Sequence, residues 1–191
     1  MLQILLLILM TISCGLVVAH RDRRWQLSGL AVAYLAQFFL LFSHIPFLFA
    51  GILLILGSMS CAVIGTARVI EAKPEDTQIK TERFFRLATF LFFSLAALAL
   101  AQRMLDWFPQ IDFYIAASSL IAIISGLLLT GFNSQVNRVI PGLLMVLIGF
   151  ESIYVSLELS LLVIGLMGAI KLGLAFISSY WLVLTQEGER E

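Results

Sequence analysis

LQILLLILMTISCGLVVA (Leu2–Ala19) runs without a charge straight into HRDRR (His20–Arg24). As a helix rising about 1.5 Å per residue, the apolar run is about 27 Å long, close to the ~30 Å hydrocarbon core of a bilayer. The arginine cluster then marks the point where the chain returns to water. The run has no basic residue ahead of it and extends to Ala19, so it is expected to be a retained first helix rather than a cleaved signal. A lipoprotein signal ending at Cys14 fits poorly, because Thr11 stands where such signals carry leucine.

Working outward, the same alternation of apolar run and short polar break continues to the far end of the chain. It predicts spans near 2–19, 26–43, 46–69, 84–103, 111–131, 139–157 and 160–184. With 191 residues, 61% of them hydrophobic, and a mean hydropathy of +1.02, the chain has more apolar surface than a water-soluble globule of this size can hide. The expected fold class is all-α integral membrane, with about seven transmembrane helices. Pro46, Pro109 and Pro141 are expected at or beside span starts, where a missing backbone donor costs little, and Pro74 in the longest loop. That loop, EAKPEDTQIKTER at 71–83, has mixed charges and reads as a solvated segment.

The formal net charge is zero, which gives no basic surface for nucleic acid and no acidic tail for a basic partner. Cys14 and Cys61 lie within apolar runs and lack a neighbouring cysteine or histidine at ligand spacing, so neither a disulfide framework nor a metal site is expected. Of the twelve Lys and Arg residues, ten fall on one side of a seven-span map: Arg21, Arg23, Arg24, Arg68, Lys73, Lys80, Arg83, Arg86, Arg138 and Arg190. Only Arg103 falls opposite, and Lys171 falls within a span. The positive-inside rule then expects a multi-pass protein of the cell inner (cytoplasmic) membrane, with its N-terminus outside and its C-terminus cytoplasmic.

Shifting the sequence by 113 positions lays the first three spans over the last three without a gap. Gly29 falls on Gly142, Leu30 on Leu143, Ser43 on Ser156, Leu53 on Leu166, Ala62 on Ala175 and Ile64 on Ile177. Because one helix separates the triplets, both copies enter the membrane from the same side, as in parallel duplications of transporters and membrane modules. The expected organisation is a first three-helix repeat at 1–70, a cytoplasmic loop and linking helix at 71–110, and a second repeat with a short tail at 111–191.

An ionisable group in hydrocarbon costs at least ~2.5–3.5 kcal/mol, so each one needs a partner, water or a task. Glu151 and Lys171 are the two such groups that stand out. Counting ~1.5 Å per residue from the hairpin near Glu158, they lie about 10 Å and about 19 Å into adjacent helices. The carboxylate could serve a proton relay, changing protonation as nearby charge moves. Equally, Glu151 could pair with Lys171, or with Tyr154 and the neighbouring serines, to lock the bundle. Gln37 lies at or next to the position equivalent to Glu151 in the first repeat, and an interhelical hydrogen bond is its expected role.

Gly51, Gly57, Ser58, Ser60, Gly65, Gly165, Gly168 and Gly173 offer small surfaces for close helix packing. Phe84, Phe85, Phe90, Phe92 and Phe93 make the fourth span bulky, suited to face lipid or a partner. His20 and His44 are expected at the membrane boundaries, without a ligand set around them. The spans contain no serine–histidine, paired-aspartate or metal-ligand constellation, so no catalytic site is expected in this chain.

The stretch NRVIPGLLMVLIGFE (Asn137–Glu151) ends in Leu147–Ile148–Gly149–Phe150–Glu151. That ending resembles the second-helix motif of the NuoK subunit of respiratory complex I, which carries an intramembrane glutamate. Leu172–Gly173–Leu174–Ala175 resembles the third NuoK helix, so one NuoK-like unit covers about 111–184. The doubled arrangement resembles HyfE-like subunits of membrane-bound hydrogenases. Trp25–Gln26–Leu27–Ser28–Gly29 through Gln37 is similar to the early part of that family, with glutamine where NuoK has glutamate.

The resemblance implies a non-catalytic membrane subunit without a cofactor. It would sit beside antiporter-like subunits of a complex I-like, hydrogenase-like or Mrp-type assembly, with Glu151 in the ion path and any redox centre on partners. NuoK has a further glutamate near the position of Ala169, which this chain lacks. Lys171, two residues on, either replaces it or pairs with Glu151. The remaining alternatives are a structural assembly subunit and a small autonomous transporter.

Overall fold

The computed structural model describes residues 1–20, 22–69, 80–132 and 136–187. Within them run seven helices: α1 (Leu2–Ala19), α2 (Arg23–Phe42), α3 (Phe47–Val69), α4 (Lys80–Trp107), α5 (Phe113–Gly131), α6 (Val136–Leu157) and α7 (Leu161–Glu187). Each contains a stretch long and apolar enough to cross a membrane, and the chain is an all-α integral membrane protein. Arg21, Lys73, Pro74 and Arg190 lie outside the described residues, as does the expected polar loop up to residue 79.

Several helices extend beyond the apolar runs, for local reasons. α2 begins at Arg23 rather than near 26 because the Asp22 carboxylate accepts a hydrogen bond from the Arg24 backbone N–H at 3.0 Å, capping the helix. α4 runs from Lys80 to Trp107 rather than from 84 to 103. In its first turn Glu82 accepts a 2.8 Å bond from Arg86 one turn on, a pairing and a charge placement that both favour helix there. α6 starts at Val136, which puts Pro141 inside the helix instead of at its edge. In a regular helix the missing proline N–H would have met the carbonyl of Asn137, so the loss is confined to the first turns.

The helices pack as two rows with a lid at one end. α2 lies between α1 and α3 in one row, and α6 lies between α5 and α7 in the other. Across the rows α1 packs on α5, α2 on α6 and α3 on α7, while α4 closes one end against α1 and α5. Met10, Leu30, Ile64, Ile121, Leu144 and Ile148 fill the middle, and Leu5, Phe39, Ile55, Leu95, Leu162 and Phe176 face outward. Lipid is the solvent for that outer surface. On α4, Phe84, Phe85, Phe92 and Phe93 are exposed as expected, but Phe90 turns inward. A Cβ at Gly15 of α1 would sit 3.1 Å from the Phe90 ring, so the glycine makes room for it.

Close backbone approaches set the spacing within each row. A Cβ at Gly29 would meet the Ser13 carbonyl oxygen at 3.2 Å and the Val17 methyl at 2.6 Å. The Ser13 hydroxyl fastens this crossing by donating to the Gly29 carbonyl. One at Gly142 would meet the Gly126 carbonyl oxygen at 2.8 Å and the Thr130 methyl at 2.8 Å. Ser13, Val17 and Gly29 stand 113 positions before Gly126, Thr130 and Gly142, so the same interlock occurs twice. The other glycines divide. Gly57 lies under the Tyr34 ring and Gly168 against Leu56, whereas a Cβ at Gly51, Gly165 or Gly173 would meet nothing within 4 Å. The last three are therefore not packing surfaces, contrary to the sequence expectation.

Candidate functional site

α6 has two working faces. On one, Gly149 lies against α5, where an added Cβ would stand 2.3 Å from the Ser119 carbonyl oxygen. Residues two apart on a helix are about 200° apart around its axis. Holding Gly149 against α5 therefore turns Glu151 the other way, towards α7 and α2. Ile148, three residues before Glu151, shares that face, and Ser152 lies four residues beyond Ile148 at its edge.

α7 brings the complementary charge. Ile164, Gly168, Lys171, Ala175 and Ser178 recur at intervals of three and four and are all buried. They form the stripe of α7 that faces the bundle. Contact of Gly168 with Leu56 fixes that stripe against α3, and the Ser179 hydroxyl donates to the Val63 carbonyl at 3.1 Å. Lys171 is 0% exposed and Glu151 4%, and the Lys171 ammonium donates a hydrogen bond to Glu151 Oε2 in a buried ion pair. Lys171 Nζ also lies 5.3 Å from the centroid of the Tyr34 ring on α2, a cation–π distance. Salt bridge and ring together replace the hydration that the ammonium would have in water.

The carboxylate is satisfied on one side only. Glu151 Oε1 is buried and has no hydrogen-bond partner among the described residues, and the same holds for both polar atoms of Gln37 and for the Tyr34 hydroxyl. The residues that carry these groups line a cavity of about 20 Å³ between α2, α3 and α6. Tyr34, Gln37, Glu151 and Ser152 are its polar lining, and Phe38, Leu41, Leu53, Leu54 and Ile148 complete it.

Of the residues singled out in the sequence, Glu151, Lys171 and Gln37 thus come together. Tyr154 does not. It is half-buried and packs against the cluster that includes Leu41, Val155 and Ile164. The expected hydrogen bond from Gln37 to a neighbouring helix is absent among the described residues. Ser152 is one of the serines expected beside Glu151, whereas Tyr34 was not foreseen. The available signal for Tyr34 was spacing: it stands three residues before Gln37 and shares its helix face.

The boundary histidines have partners. His44 Nε2 lies 3.3 Å from Asp112 Oδ2 and 3.1 Å from Gln3 Nε2, tying together the ends of α1, α2 and α5. His20 stacks on Trp25 at 5.3 Å. Burial and the nearby Arg83 guanidinium hold its imidazole below the usual histidine range, partly offset by the Leu16 carbonyl and Asp22. Cys14 and Cys61 are buried and are not joined in a disulfide. Among the described residues no group of His, Cys, Asp and Glu could hold a metal ion. Comparison of the chain with protein-family models, curated proteins and solved structures gives no match.

Proposed function

We propose that this chain is a non-catalytic membrane subunit of a multi-subunit, cation-translocating complex of the complex I or membrane-bound hydrogenase type, and that it contributes Glu151 to the ion path. The observation that carries this reading is the Glu151–Lys171 pair, buried between two spans and open on one carboxylate oxygen. A carboxylate with an adjacent movable ammonium can gain or lose a proton as the ammonium shifts, which is what a buried relay needs. The NuoK-like run Leu147–Gly149–Glu151 supports the same reading. The partners would be antiporter-like membrane subunits, with any redox centre on other chains. The distribution of basic residues supports an inner-membrane setting with the N-terminus outside and the C-terminus cytoplasmic.

A second reading, a scaffold for such a complex, draws support from the closed hydrogen bond between Lys171 and Glu151. A self-satisfied pair can serve as a lock between α6 and α7. An autonomous transporter is the weaker alternative, because a 20 Å³ cavity is far smaller than a pocket for an organic solute.

Cation pumping by membrane vesicles containing the assembled complex separates the two main readings. Glu151→Gln is expected to abolish pumping while native gels show unchanged assembly. Undiminished pumping would make the pair a lock and the chain a scaffold.

A further inference from the structure

The cavity carries more information than the ion pair beside it. Three of its lining residues, Glu151, Gln37 and Tyr34, hold a carboxylate oxygen, an amide donor, an amide acceptor and a phenol that lack protein partners among the described residues, and they come from two helices of different rows. Burying such groups without hydrogen bonds costs ~1–3 kcal/mol each, so something must satisfy them. A buried water needs roughly 10–15 Å³ and two to four polar partners. The cavity offers about 20 Å³ and is lined by the three residues that carry those four atoms.

We infer that this cavity is a water site that bridges Gln37 on α2 to Glu151 Oε1 on α6, an inference that does not rest on the reading of Glu151 as part of an ion path. Water suits the site because it both donates and accepts. It can donate to Glu151 Oε1 and to the Gln37 carbonyl oxygen while accepting from the Gln37 amide or the Tyr34 hydroxyl. A cation fits the cavity less well than water, because the Lys171 ammonium already occupies Glu151 Oε2 and neutralises the carboxylate.

Gln37 is then a positioning residue. It cannot ionise, but it holds the water on the oxygen that Lys171 leaves free, which makes the first row of helices part of a site whose charges all lie in the second.

The test is infrared spectroscopy of the purified full chain in lipid nanodiscs, with H2(18)O exchanged for ordinary water. A strongly hydrogen-bonded water band that shifts with the isotope is expected in the native chain. It should vanish in Gln37→Met, which removes the amide, and in Leu54→Phe, which fills the cavity and leaves Gln37 in place. Absence of the band in the native chain, or its persistence in both variants, overturns the water site. If Gln37→Met fails to fold, Leu54→Phe decides alone. None of these readouts depends on pumping, so a failed water site and a failed ion-path reading are told apart.

Discussion

The row α1–α2–α3 and the row α5–α6–α7 share the interlock of their first two helices and differ in their interiors. At the crossing of the first two helices in each row, Ser13, Gly29 and Ala36 of one stand where Gly126, Gly142 and Gly149 stand in the other. The second crossing is the tighter. A Cβ at Gly126 would come within 2.4 Å of the Gly142 carbonyl oxygen, and one at Gly149 within 2.3 Å of that of Ser119. The row whose helices are clamped most closely is also the row that carries the buried Glu151–Lys171 pair. Small residues fix the architecture in both rows, and a carboxylate with its ammonium distinguishes one from the other. Tight packing behind Glu151 keeps the carboxylate turned towards Lys171 and the cavity, where a looser crossing would let α6 rotate.

The largest effect that sharpens this comparison should come from Lys171→Met. It leaves Glu151 buried without its counter-charge, and a loss of about 3–5 kcal/mol is expected when one partner of a buried pair is removed. Unfolding by SDS titration in mixed micelles measures it. Adding Glu151→Gln in the same chain should restore most of the loss; no restoration would mean that Lys171 acts through packing and not through charge.

Next come the interlocks. Gly142→Val should cost about 1–3 kcal/mol through overpacking, and Gly29→Val less, because its nearest obstacle is the Val17 methyl, a side-chain tip that can turn aside. Equal losses in the same assay would erase the distinction between a tight and a loose crossing. The smallest effect belongs to the rim of the first row. Burial and Arg83 lower the His20 pKa below 6.5, so the fold favours the neutral imidazole. That contribution is complete above the unfolded value and is lost as pH falls through the folded one. Stability should therefore drop between about pH 7 and pH 5, and His20→Gln should flatten this part of the profile. An unchanged profile would assign the pH response to other groups.

Much of this was legible in the sequence, for physical reasons that differ by feature. The spans could be read because hydrocarbon permits few charges, and the apolar runs at Leu2–Ala19 and elsewhere are bounded by them. Their ends were less accessible. Asp22 and Glu82 extend helices by capping and charge placement, local effects that a hydropathy reading averages away. Glu151 and Lys171 could be paired in advance because a short hairpin joins their helices and each is costly alone. The cavity could not, since it depends on α2 meeting α6 across the rows. No local pattern encodes that contact, and Tyr34 carries meaning only once it is known. Tyr154, polar and close to Glu151 in sequence, was misleading because three residues along a helix bring side chains near each other without bringing their polar ends to the same partner.

The short turn between α6 and α7 has a consequence for biogenesis. Residues 158–160 alone separate the two helices, so the segments that carry the opposite charges leave the ribosome together and can enter the bilayer as one hairpin. Inserted singly, each would bring an uncompensated charge into hydrocarbon. Inserted together, they present a neutral pair, and the penalty that normally discourages an intramembrane lysine is met before the rest of the bundle assembles around it.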